Sequence, residues 1–186
     1  MILFINACVR ANSRTLILSK HLLSKLGPYE EIRLDNIDFE KTDEAFLNKR
    51  DSLISKGEFD NDMFKYARQF ASADVIVIGA PYWDMSFPAS LKQYVEKINV
   101  IGITFAYDEK ESTVGLCKAK KLYYVTTSGG PDVSDSYGFG YIKAISDYFY
   151  KIPDVKLIQA KGLDVYFADK DKIMSDAVKE IDNLFK

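Results

Sequence analysis

The chain has 186 residues, 47% of them hydrophobic and 28% charged, with a formal net charge of -2. That balance suits one water-soluble globular domain spanning 1–186 and leaves little room for a second core. No basic run supports nucleic acid or an anionic membrane surface as partner, no apolar stretch reaches membrane-spanning length, and Cys8 and Cys117 fit neither a disulfide nor a metal-ligand spacing.

The N-terminal MILFINACVR lacks the charged region and long apolar core of a signal peptide, so a cytoplasmic location is expected. Ile2 to Ile5 reads as a first strand. Asn6 to Asn12 is a polar loop, and from Ser13 the residues Leu16, Leu22, Leu23 and Leu26 share one helical face that Gly27-Pro28 stops. Glu31 to Leu34 alternates as a short second strand. Asn36 to Glu58 is a charged, weakly periodic excursion, expected to be partly helical and to cover part of a site. Helical spacing returns from Asp60 and leads into a third strand, Asp74 to Gly79.

The turn Pro81 to Pro88 is rich in aromatic residues and sits at the end of that strand. A helix marked by Leu91, Tyr94, Val95 and Ile98 follows, then a connection from Asn99 to Ala119 that is long for its place. Leu122 to Thr126 is the fourth strand, Tyr141 to Tyr150 a helix, Val155 to Ala160 the fifth strand, and Ile173 to Leu184 a closing helix. Five strands alternating with helices predict an α/β fold: a parallel sheet with helices on both faces, best matched by the five-stranded flavodoxin-like order.

Three loops carry site chemistry. Arg10, Ser13, Arg14 and Thr15 at a helix start offer charge, hydroxyls and free N–H groups to an anion. Without glycines this is neither a Walker loop nor a dinucleotide fingerprint, and a monophosphate fits better. The plain alternative is that Ser13 caps a helix while the arginines face water. Tyr82, Trp83 and Met85 form an apolar turn that a flat ring would cover, unless it packs on a neighbouring loop or subunit. Ser128, Gly129 and Gly130 offer backbone N–H groups, although Gly-Gly-Pro alone is usually a tight turn. Loops that leave strands one, three and four of a parallel sheet emerge on one edge. Together they describe a pocket for flavin mononucleotide (FMN).

The ordered set Gly79-Ala80-Pro81-Tyr82-Trp83-Asp84-Met85-Ser86-Phe87-Pro88, Leu91-Lys92-Tyr94, Gly102-x-Thr104-Phe105-x-Tyr107, Gly115-Leu116, Lys120-Lys121 and Ser128-Gly129-Gly130 resembles the FMN-dependent NAD(P)H azoreductase and quinone reductase family. The resemblance implies a flavodoxin-like fold, a homodimer with sites at the subunit interface, and non-covalent FMN reduced by NADH or NADPH. It implies that hydride passes through flavin N5 to a quinone, azo compound or similar acceptor in a ping-pong cycle. By the family pattern Arg10, Ser13 and Thr15 hold the phosphate, Pro81, Tyr82, Trp83, Asp84 and Met85 line the ring, and Ser128, Gly129 and Gly130 meet its pyrimidine edge. Trp83 borders the acceptor, with Phe105 from a segment walling the partner's site.

Three departures accompany the match. Asp84 stands where family members typically carry Asn, Tyr82-Trp83 is bulkier than the usual Met-Tyr, and Asp147 to Pro153 lacks a glycine-containing turn. With the chemistry on the cofactor no catalytic acid or base is demanded, and the single histidine, His21, is expected on a helix surface. An electron carrier of flavodoxin type and a flavin-free α/β binding protein are the competing readings. A phosphate-transfer receiver domain is disfavoured because Asp35, Asp38 and Asp74 do not gather at one set of strand ends.

Overall fold

The computed structural model describes residues 1–186. Its main sheet has five parallel strands: β1 (Ile2–Asn6), β2 (Tyr29–Arg33), β3 (Val75–Gly79), β6 (Lys121–Thr127) and β7 (Asp154–Ala160). They lie in the order β2-β1-β3-β6-β7, so the chain reverses its winding between β1 and β3. This is the expected flavodoxin-like arrangement.

The central strands are apolar on both sides because helices cover both. Leu3, Ile5, Ile76, Ile78, Leu122 and Tyr124 pack toward α3 (Lys65–Ser72), α4 (Ala89–Ile98) and α5 (Phe139–Ile145). Phe4, Val77, Tyr123 and Val125 face the other way, onto α1 (Arg14–Leu26) and α6 (Lys170–Asn183). Alternation along each strand thus divides one set of residues between two cores. His21, expected on a helix surface, is partly exposed on α1 and meets Asp182 of α6 at 2.9 Å.

The excursion from Asn36 to Glu58 does hold a helix, α2 (Glu44–Ser55), whose start Asp43 caps by accepting from the Phe46 N–H at 3.1 Å. The helix expected from Asp60 begins with a 3-10 turn, Asp62–Phe64, before α3. Strand β2 opens at Tyr29, two residues ahead of the expected Glu31.

The long connection after α4 folds into an antiparallel hairpin of β4 (Phe105–Tyr107) and β5 (Thr113–Gly115). Asp108 closes its loop, accepting from the N–H groups of Lys110 (2.9 Å) and Ser112 (2.8 Å). The hairpin packs on the segment after α5, where Ser146–Tyr150 forms a π-helical turn, and the Phe105 and Phe149 rings lie 4.5 Å apart. That turn ends at Lys151 with φ 53°, so a lysine takes the left-handed position that a glycine would suit. No helix is long and apolar enough to cross a membrane.

Candidate functional site

Backbone hydrogen bonds continue past the ends of the strands and draw the following loops together. Ala7 N–H donates to the Gly79 carbonyl (2.8 Å), Tyr82 N–H to Thr127 (3.0 Å) and Ser128 N–H to Ala160 (3.0 Å). The loops enclose a groove of about 370 Å³ at the carboxyl edge of the sheet, beside the β1/β3 reversal. Ligands of open α/β sheets bind at such a switch point, and the volume suits a small cofactor.

The first wall is the β1–α1 loop. Buried Asn6 shapes it, its side-chain oxygen accepting from the Cys8 N–H at 2.9 Å and its amide donating to Glu31 at 2.7 Å. Ser13 N–H closes a turn onto the Arg10 carbonyl (3.1 Å), and Ser13 Oγ caps α1 through the Leu16 N–H (3.3 Å). The N–H groups of Arg14 and Thr15 have no protein partner, and Arg10 makes no ion pair. Val9, Arg10, Asn12, Ser13 and Arg14 line the groove. Thr15 does not: its side chain is buried and its hydroxyl meets Thr127 Oγ1 at 2.7 Å, which leaves only its N–H for an anion. Burial pushes the Cys8 thiol up to about 11, so it stays neutral and no nucleophile arises there.

The second wall is Pro81, Tyr82 and Trp83. Trp83 and Ser86 exchange backbone hydrogen bonds of 3.1 and 2.8 Å around Asp84 (φ 49°) and Met85 (φ 67°), a two-residue turn of the I′ kind. Ser86 Oγ anchors it to the Tyr137 carbonyl at 2.8 Å. Asp84 and Met85 stand at the exposed tip, outside the groove lining, so the expected wall shortens to three residues. The Asp84 N–H has no protein acceptor.

The third wall is Thr127, Ser128 and Gly129. Gly130 faces away: its carbonyl accepts from Ser128 Oγ (2.9 Å) and from the Gly162 N–H (3.0 Å), which stiffens the turn. Residues 36–58 do not line the groove: Leu53 of α2 packs with Phe64, Ala67 and Val100, and Lys97 of α4 lies over the Phe46 ring. Phe105 is 8% exposed beneath the hairpin and borders no part of this chain's groove.

A fourth wall, Leu163 and Asp164 after β7, was not foreseen. It carries no phosphate- or ring-binding motif. The signal available was topological, since a loop leaving the fifth parallel strand must emerge on the same edge.

These residues are of the kind a mononucleotide would need: unpaired N–H groups and Arg10 that could meet an anion, and Tyr82 and Trp83 that could face a flat ring. The chain matches the Flavodoxin_2 family, described as a flavodoxin-like fold, over residues 1–185. It is 36% identical to the FMN-dependent NADH:quinone oxidoreductase of Coprothermobacter proteolyticus, with 100% of this chain and 98% of that protein covered. With the protein of the same name from Caldicellulosiruptor bescii it shares 34% identity at the same coverage, 100% and 98%. An azoreductase structure from Bacillus anthracis superimposes with a TM-score of 0.83 at 20% identity, covering 99% of this chain and 97% of that one. An FMN-dependent NADH-azoreductase of the same species, solved with FMN, gives 0.81 at 24% identity, covering 99% and 96%. The two structures show a common fold. Because the family match and the two relatives each run nearly end to end, the chain belongs to the flavodoxin-like family of FMN-dependent NADH:quinone oxidoreductases.

Proposed function

We propose that the protein is an FMN-dependent oxidoreductase that takes electrons from NADH and passes them to a quinone, azo compound or similar flat acceptor at the switch-point groove. The carrying observation is the pairing of an anion cradle with an aromatic wall across one groove. When bound there, FMN would accept hydride from NADH at N5 and deliver it to the acceptor after the donor has left.

The protein's own part is to hold and orient. Arg10 supplies an unpaired cation, while Ser13 and the N–H groups of Arg14 and Thr15 supply donors to the phosphate. Pro81, Tyr82 and Trp83 would line the ring, the free Asp84 N–H would be available to its polar edge, and Ser128 and Gly129 would complete the wall. Trp83, exposed at the mouth, borders donor and acceptor in turn. No histidine, lysine or cysteine lines the groove, which suits chemistry carried by a cofactor. The exposed apolar side chains of Ile101, Tyr107, Val114 and Leu116 around the hairpin support a homodimer through that face, with these residues rather than buried Phe105 available to a partner.

A flavin-fluorescence titration tests the cofactor site. Arg10→Ala combined with Ser13→Ala removes charge-assisted hydrogen bonds, each worth about 1.5–3 kcal/mol, and is expected to weaken FMN binding tenfold or more. Affinity unchanged from the wild type contradicts the phosphate assignment.

A further inference from the structure

The fourth wall brings a carboxylate to the end of the groove where the ligand would bring its own negative charge. Asp164 Oδ1 lies 3.0 Å from Arg14 Nη1, and the same nitrogen donates to the Leu163 carbonyl at 3.4 Å. The backbone beneath is fixed onto the third wall: Gly162, Leu163 and Asp164 donate N–H bonds of 3.0, 3.1 and 3.0 Å to the carbonyls of Gly130, Ser128 and Gly129. Lys161 adds an ion pair to Asp135 at 3.0 Å. The carboxylate lies directly over Gly129, where a Cβ would run into it, so the glycine leaves room for Asp164 as well as for a ligand. The bridge spans the first and fourth walls and is open to water, the two side chains being 39% and 70% exposed.

We propose that Asp164 is a built-in competitor for the cofactor's phosphate: it holds Arg14 before the ligand arrives, releases it on binding, and thereby sets how tightly a phosphate-bearing flavin is retained. This rests on the phosphate assignment made above. An ion pair so exposed is weak, and a phosphate near two negative charges with three acceptor oxygens displaces a single carboxylate from a guanidinium. The exchange breaks the Arg14–Asp164 pair, so binding a phosphate carries the loss of that pair as a cost. Through its hold on Arg14, Asp164 therefore lowers the affinity for FMN. Riboflavin, which has no phosphate, leaves the pair intact and is indifferent to it.

The test is a set of fluorescence titrations with FMN and riboflavin on the wild type, Asp164→Asn, Arg14→Ala and the double variant. Asp164→Asn keeps the shape and the backbone anchors, and is expected to tighten FMN binding about fivefold while riboflavin changes less than about twofold. In the Arg14→Ala background the gain for FMN should fall below about twofold. If Asp164→Asn weakens both flavins alike, the carboxylate holds a part they share and the inference is overturned. A full gain persisting without Arg14 also overturns it, since competition for the arginine would then play no part. A wild type that binds riboflavin as tightly as FMN sinks the phosphate assignment itself, whereas a wild type that prefers FMN by a ratio Asp164→Asn leaves unchanged sinks only this inference.

Discussion

Asp84 and Met85 occupy left-handed backbone conformations at the tip of the ring-side turn, and neither is a glycine. For an ordinary L side chain that conformation costs about 1–2 kcal/mol, and I′ turns favour Asn or Asp followed by Gly. Asp84 tolerates it, whereas Met85 has no local hydrogen bond to offset it. Met85→Gly is therefore expected to raise stability by about 1 kcal/mol and the Tm by roughly 2–4 °C in thermal denaturation; a fall would show that the methionine side chain packs more usefully than its exposure suggests. Residue type alone marked Arg10, Ser13, Tyr82 and Trp83 for the site, because charge, hydroxyl and flat ring each announce a chemistry. It did not show that Thr15 turns its hydroxyl to Thr127, or that Gly130 points its carbonyl away, since both depend on which side of a loop the neighbouring strand presents.

Elements followed the sequence where the pattern was long. The central strands are continuous apolar runs, legible to within about one residue, and the 3.6-residue period located each of their helices, although ends of α3, α5 and α6 lie three to five residues from where that period put them. The β4–β5 hairpin was not legible. Each strand has three residues, and they pack on a segment some thirty to forty-five positions away, so no local period records them. Gly115 is where that packing is tightest, because a Cβ there would overlap the Tyr150 carbonyl, a backbone group that cannot rotate aside. Gly115→Ala is expected to cost about 1–3 kcal/mol and to lower the Tm by several degrees, with loss of order centred on the hairpin in hydrogen exchange. A neutral effect would mean that the hairpin sits away from Tyr150. The missing glycine between Asp147 and Pro153 has its answer here too: Lys151 takes the left-handed position after the π-helical turn, and its cost is carried by Ser146, whose carbonyl accepts from Lys151 and Ile152 and whose hydroxyl binds Ile142.

For the molecule as a whole, topology decides what local motifs leave open. A parallel sheet wound in the order β2-β1-β3-β6-β7 sends every strand's exit loop to one edge, and the reversal between β1 and β3 parts two of them into a groove. Four short stretches, none specific alone, become one site by that geometry. The fourth, Leu163 and Asp164, carries no residue pattern that signals a ligand, so only the topology marks it. A single experiment separates an enzyme from a carrier of electrons for one: NADH is added, without oxygen, to the purified protein loaded with FMN, followed by a quinone. NADH alone should bleach the flavin absorbance, and the quinone should restore it. A flavin that stays oxidised with NADH and is reduced only when a separate reductase is supplied would contradict the proposed function.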